Sequence, residues 1–217
     1  DANETAAQAK TGNHSHATPI GLNIENEKER QHLIQKADLV ISLLPPHLHF
    51  LVAKECIVFG KNFLTASYVD AQMKNLEKDI QKNNLLFLCE MGLDPGIDHM
   101  SAMQMLHRIH AKGGSITSFA SHCGGLVAAE SDDNPWHYKI SWNPRNIVLA
   151  GKSGAVYKKD GKEIHVPYEE LFENNPTIQI PSLGTLAYYY NRDSLRYASL
   201  YNLNEVSTFI RTILRHP

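Results

Sequence analysis

The sequence predicts an α/β protein in two parts: a partial doubly wound parallel sheet over residues 1–98, then an α+β domain over residues 99–217. Three observations carry that prediction. In the first half, apolar runs such as Asp38-Leu39-Val40-Ile41-Ser42-Leu43-Leu44 and Leu85-Leu86-Phe87-Leu88-Cys89 alternate with amphipathic stretches. That alternation builds parallel strands joined by crossover helices, a Rossmann-type arrangement. Past about His99 the pattern gives way to short strands, turns and aromatic clusters. Finally, 217 residues with 42% hydrophobic content suffice for one large domain or two small ones with a buried core.

Each element follows from local pattern. Glu4 to Lys10 reads as a short helix and Thr18 to Ile24 as a strand. Glu25 to Lys36 is a charged helix with Leu33, Ile34 and Ala37 on one side. Asp38 to Leu44 is a strand buried on both faces. Pro45-Pro46 ends it, and Pro46 opens the next helix, where a missing N–H costs no bond. That helix runs to about Phe59, with Gly60 as its cap. Asn62 to Ala66 is a short strand. Asp70 to Lys82 is a helix with Met73, Leu76 and Ile80 on one stripe, and Leu85 to Cys89 is a further strand. Beyond these, Ser101 to Lys112 is helical up to Gly113-Gly114, and Ser115 to Ser121 is a strand. Lys152 to Lys158 and Lys162 to Val166 form a hairpin around Asp160-Gly161, and Val206 to Leu214 is helical.

Composition narrows the function. Charged residues are 20% and nearly balanced, with a net charge of -2, which argues against a nucleic-acid partner. No run of about 18 apolar residues appears, so no membrane-spanning helix is expected. Cys56, Cys89 and Cys123 are few, odd in number and widely spaced. They form neither a disulfide framework nor a CxxC metal knuckle, and they suit a reducing, cytoplasmic compartment. His122 has no partner at ligand spacing, so no metal is expected. There is no GxGxxG turn to hold a pyrophosphate. Either the fold binds no dinucleotide, or the first strand and its glycine turn lie upstream of Asp1.

Ligands of a doubly wound sheet bind beyond the carboxyl ends of its strands. Three loops lie there: Ser42 to Pro46, Thr65 to Asp70, and Glu90 to Ile97. In the last, Gly92 and Gly96 allow close backbone approach and Pro95 fixes the turn. Asp98 can cap the helix that follows, and Asp94 is positioned to touch a substrate or a nicotinamide. Cys123, in Ser121-His122-Cys123-Gly124-Gly125, is either a small buried hydrophobe or a cofactor-facing thiol. Arg192, Arg211 and Arg215 are surface ion-pair partners or forks for carboxylates.

One family shares these motifs in the same order. Ile41-Ser42-Leu43-Leu44-Pro45, Ser67-Tyr68, Gly92 to His99, Cys123-Gly124-Gly125-Leu126, Asn134-Pro135, Ser141-Trp142, Asn191-Arg192-Asp193 and Leu214-Arg215 resemble the glutamate-forming saccharopine dehydrogenases, or saccharopine reductases, over essentially the whole chain. The resemblance implies reduction by NAD(P)H of an imine formed from aminoadipate semialdehyde and L-glutamate, giving saccharopine, or the reverse oxidation. Members are about twice this length, begin with a glycine turn and continue past Arg215, so it also implies a chain truncated at both ends. By resemblance, Ser67, Tyr68, Asp94, Arg192, Ile213, Leu214 and Arg215 border the substrate; members often carry Thr where Ile213 stands. Asn23, Ile24, Leu44, Ala66, Ser67, Leu93, Asp94, Pro95 and Asn143 line the cofactor. Asp94, Cys123 and Tyr68 are the candidates for moving protons. Asp1, if it ends a strand, sits where an acid bonds the ribose 2′-hydroxyl, which favours NAD over NADP. The resemblance leaves room for a homodimer. Two other readings stand beside it: a carboxynorspermidine dehydrogenase-like enzyme of polyamine synthesis, and a non-catalytic fragment or scaffold.

Overall fold

A computed structural model describes residues 1–140, 151–174 and 176–217. The chain forms two compact units, Asp1–Gly96 and Ile97–Pro217. The first is α/β with a parallel sheet, and the second is built on a largely antiparallel sheet.

In the first unit, α1 (Glu4–Thr11) begins where the Asn3 side chain accepts from the Ala6 N–H, and α2 (Glu27–Lys36) begins where Asn26 accepts from Glu29. Then come β1 (Leu39–Ser42), α3 (Pro46–Val58), β2 (Asn62–Thr65), α4 (Ala71–Lys74), α5 (Glu77–Lys82) and β3 (Phe87–Leu88). The three strands pair in parallel, in the order β1-β2-β3. Pro46 is the first residue of α3, and Gly60 follows it with positive φ, as the sequence predicts. One core lies beneath the sheet, made of Ile34, Val52, Ala53, Cys56, Phe63, Met73 and Leu76. Within it the Arg30 guanidinium donates both Nε and Nη2 to the Glu55 carboxylate, at 2.7 and 2.6 Å, tying α2 to α3.

Three expectations for this unit need correction. Residues 18–24 form no strand: Leu22 N donates to Asp1 O and the Asp1 ammonium to Ile20 O, so only one residue stands alongside to pair. The run from Asp38 to Leu44 is a four-residue strand buried on one face only. Ser42 packs toward the helices, while Leu39, Ile41 and Leu43 point away and are exposed, Leu43 by 80%. The reason is that the core helices α2, α3 and α4 share one side of the sheet with Phe63. The helix expected from Asp70 to Lys82 breaks at Asn75, a weak helix former. Met73 and Leu76 on either side of the break still reach the core.

The second unit opens with α6 (Ile97–Ala111) and β4 (Ser118–Cys123). β5 (Ala155–Lys159) and β6 (Lys162–Val166) form the expected hairpin, with Asp160 and Gly161 both at positive φ. β7 (Thr177–Ile180), β8 (Gly184–Tyr190), β9 (Arg192–Asp193) and β10 (Thr208–Arg215) complete a seven-stranded sheet. The stretch expected to be helical near the end is β10, which pairs in parallel with β4 and antiparallel with β8. Its Thr208, Phe209, Ile210, Thr212 and Ile213 are β-branched or aromatic, and Phe209, Arg211 and Thr212 are buried. Strand chemistry and pairing on both edges prevail over the helical reading. Among the described residues no helix is long and apolar enough to cross a membrane.

Asp98 also departs from expectation. It lies inside α6 instead of capping it, and its Oδ2 accepts from Arg211 Nη2 at 2.7 Å with both side chains almost fully buried. The Arg211 guanidinium sits 4.4 Å from the Tyr197 ring centroid, and His99 stacks on the same ring at 4.5 Å. This cluster pins α6 to β10.

Candidate functional site

The carboxyl ends of β2 and β3 carry the loops that hold the first set of site residues. Past the strands the two loops stay bonded through backbone: Met91 N donates to Thr65 O at 3.1 Å and Glu90 N to Ser67 O at 2.9 Å. Glu90 takes a left-handed φ of 60° and its Oε1 accepts from Val69 N, an uncommon backbone state for a residue with a side chain. The next loop folds on itself, Gly92 N donating to Pro95 O, with Gly92 bridged to Gly96. The Asp94-Pro95 peptide is cis. Gly96 has φ 150°, and a Cβ there would lie 2.1 Å from Gly92 O, so only glycine closes this loop. On the facing loop, Asp70 accepts from Met73 N and starts α4 directly after Tyr68 and Val69. Between the two loops the Tyr68 hydroxyl donates to Asp94 Oδ1 at 2.9 Å. Two of the three proton-moving candidates thus form a bonded pair.

A residue that the sequence reading passed over lies beneath this edge. His49 falls on the stripe His49, Val52, Ala53, Cys56 of α3, all buried. Its Nδ1 lies 2.8 Å from Ser42 Oγ and its Nε2 lies 2.8 Å from Ser67 Oγ. Thr65 Oγ1 stands near both ring nitrogens and accepts from Ser67 N. Burial pushes the imidazole pKa below its ordinary value; Asp70 pulls the other way and His47 adds to the lowering. The signal was available, since an imidazole on an apolar helical stripe needs buried partners.

The expected cofactor-lining residues distribute as follows. Leu44, Ala66 and Ser67 are half-buried at the strand ends, Leu93 is exposed and Pro95 is buried. Asp94 is half-buried beside them. Ala66 packs close to Gly92, where an added Cβ would lie 3.2 Å from the Ala66 Cβ. Asn23 is exposed and its Oδ1 accepts from Glu25 N, while Ile24 O accepts from Arg30 Nη1. Asp1 is exposed, and its Oδ1 accepts from Asn3 N at 2.9 Å. Asn143, with Ser141 and Trp142, lies outside the described residues.

In the second unit, Cys123 ends β4 in register with Ile213 of β10. Gly124 then passes so close to β10 that a Cβ would lie 2.5 Å from Leu214 O. Cys123 and Ile213 are half-buried. Leu214 is buried, at 7% exposure. Arg215 donates Nη1 to Leu214 O and stands over the Tyr138 and Tyr189 rings, at 5.3 and 5.9 Å. It lines an open cleft of ≈ 360 Å³ with Leu126, Trp136, His137, Tyr138 and His216. A guanidinium framed by aromatic side chains in a cleft is suited to a carboxylate. Arg192 is exposed on β9 at φ 46°, in register with Ala155. His122 shares a 2.7 Å hydrogen bond with Thr212 Oγ1, and burial lowers its pKa.

Comparison with known proteins follows the same division. Residues 1–88 match the family profile described as the saccharopine dehydrogenase NADP binding domain, and residues 92–217 match the saccharopine dehydrogenase C-terminal domain. The chain is 40% identical over 202 residues to saccharopine dehydrogenase [NADP(+), L-glutamate-forming] of Pyricularia oryzae, covering 93% of this chain and 45% of that protein. It is 40% identical over 200 residues to alpha-aminoadipic semialdehyde synthase of Arabidopsis thaliana, covering 91% of this chain and 19% of that protein. A solved structure of apo saccharopine dehydrogenase (L-Glu forming) from Saccharomyces cerevisiae superimposes with a TM-score of 0.86 at 36% identity, covering 99% of this chain and 48% of that one. The chain therefore spans about half the length of the fungal relatives and a smaller share of the plant one.

Proposed function

This chain belongs to the saccharopine dehydrogenase family, and from that premise we propose that it carries the substrate-facing core of a nicotinamide-dependent oxidoreductase. The reaction is the joining of aminoadipate semialdehyde to L-glutamate as saccharopine, or its reverse. The observation that carries this reading is the Tyr68–Asp94 hydrogen bond at the carboxyl edge of a parallel sheet, where such folds bind ligands.

The cofactor supplies a hydride to the imine carbon or takes it from the amine. The chain's residues orient the substrate and move a proton. Reduction of an imine needs one proton at nitrogen for each hydride at carbon. In this reading Tyr68 and Asp94, joined by a hydrogen bond, exchange a proton with that nitrogen. Ser67 precedes Tyr68 in the same loop. Arg215, framed by Tyr138 and Tyr189, suits one of the substrate's three carboxylates. Half-buried Leu44 and Ala66 and exposed Leu93 supply apolar side chains that fit a nicotinamide.

NADP is the favoured cofactor within this proposal. The Asp1 carboxylate argued for NAD on condition that Asp1 ends a strand, and among the described residues no strand includes it. The matching profile and the fungal relatives carry NADP in their names. The few, widely spaced thiols Cys56, Cys89 and Cys123 suit a reducing, cytoplasmic compartment.

A binding panel tests the reading. In a full-length context, saccharopine and NADPH are expected to bind more tightly than carboxynorspermidine and NADH. Tighter binding of carboxynorspermidine would move the protein to the polyamine branch, and binding of none of the four would support a scaffold.

A further inference from the structure

Ser42, His49 and Ser67 form a continuous polar chain that begins in the core and ends at the half-buried strand edge. Ser42 is 4% exposed and His49 equally so, whereas Ser67 is partly open to solvent. Both ring nitrogens are used, each at 2.8 Å from a serine oxygen. A neutral imidazole has one N–H and one lone pair, so one serine must donate to the ring and the other must accept from it.

Burial decides which. The imidazole is held neutral by desolvation, against the pull of Asp70 and with the push of His47. Among the described residues, the Ser42 hydroxyl has the ring as its one side-chain partner. Were Ser42 to accept from Nδ1–H, its own proton would be buried with nothing to receive it, an arrangement that costs more than a hydrogen bond gains. Ser42 therefore donates to Nδ1, and Nε2–H donates to Ser67 Oγ. Ser67 N–H is taken up by Thr65 Oγ1. The proton of the Ser67 hydroxyl is then unused within this network.

We propose that His49 is a positioning residue whose Nε2–H holds the Ser67 hydroxyl as an outward hydrogen-bond donor to a ligand oxygen. This rests on the proposed function only in taking the strand edge as the ligand site. The oxygen recognised is a carboxylate or carboxamide acceptor, supplied by the substrate or by the nicotinamide. His49 itself touches no ligand.

Two measurements in a full-length context test this. Long-range nitrogen–proton NMR of the wild-type histidine rings is expected to show His49 as the Nε2–H tautomer. The Nδ1–H tautomer would send the Ser67 proton inward and overturn the proposal, with or without ligand. In the second, saccharopine and NADPH are titrated separately into wild type, S67A, H49N, H49Q and H49N/S67A. Affinity for one of the two is expected to fall about tenfold in S67A and H49N, with no further loss in the double variant, because both remove one hydrogen bond. H49Q, whose amide nitrogen replaces Nε2–H, is expected to restore affinity to within about threefold. Additive losses, or unchanged affinity of H49N for both ligands, would refute the role. If wild type binds neither ligand, the functional reading fails, and the tautomer alone decides whether His49 orients Ser67.

Discussion

The Tyr68 hydroxyl donates to Asp94 Oδ1 at 2.9 Å, joining two loops that are 26 residues apart in sequence. Each loop is fixed independently. Asp70 starts a helix behind Tyr68, and the Gly92–Gly96 closure holds Asp94. If the pair acts as one proton-exchange unit, its members are not additive. In a full-length context, D94N is expected to lower kcat by about a hundredfold, at the lower end of the usual span for acid–base groups, and Y68F by less, about tenfold, since it removes only the hydrogen bond to the carboxylate. Y68F/D94N is expected to resemble D94N alone. Steady-state kinetics of the three variants checks this, and multiplicative losses would show independent roles.

Gly96 tests the loop itself. Its φ of 150° and the 2.1 Å approach to Gly92 O leave no room for a Cβ. G96A is expected to open the loop, displace Asp94 and weaken ligand binding, while the sheet and its core persist. Far-UV circular dichroism should stay close to wild type as saccharopine affinity falls. Unchanged affinity would show that the loop tolerates the opening.

The Asp98–Arg211 pair makes a stability prediction. Both side chains are buried and bonded at 2.7 Å. Removing the carboxylate takes the ion-pair partner seen at 2.7 Å from a buried guanidinium, so D98A is expected to destabilise the second unit by about 3–5 kcal/mol in urea denaturation. A loss below about 1 kcal/mol would mean that solvent or another acid reaches Arg211.

Two buried histidines predict a pH dependence. Burial holds His49 and His122 below the ordinary value of 6.5. In the unfolded chain both regain that value, so as pH falls below 6.5 the unfolded state binds protons that the folded state does not. Stability is therefore full above this range and declines on acidification toward the folded pKa values. Denaturation midpoints from neutral to mildly acidic pH should fall in wild type and fall less in H49Q. Equal slopes would exclude His49 as a source.

Much of this organisation was legible in the sequence because it rests on local chemistry. Pro46 as the first residue of α3, the Asp160-Gly161 hairpin and the Gly92–Gly96 closure depend on backbone preferences of a few residues. Elements decided by distant partners were not legible. β10 reads as a helix until β4 and β8 are placed on its edges. Asp98 reads as a cap until Arg211 arrives from 113 residues away. Cys123, Leu126 and Arg215 were visible as motif residues, but the aromatic frame of Trp136 and Tyr138 around Arg215 depends on loop placement. His49 carried a readable signal, a polar ring on an apolar stripe, but its partners Ser42 and Ser67 come from two different strand ends.

Saccharopine-dependent reduction of NADP, followed by nicotinamide absorbance in wild type and D94N in a full-length context, tests the central claim most directly. Wild type is expected to turn over saccharopine, and D94N to lose about a hundredfold in kcat/KM. Absence of turnover in wild type, or equal rates in the two proteins, would contradict the account.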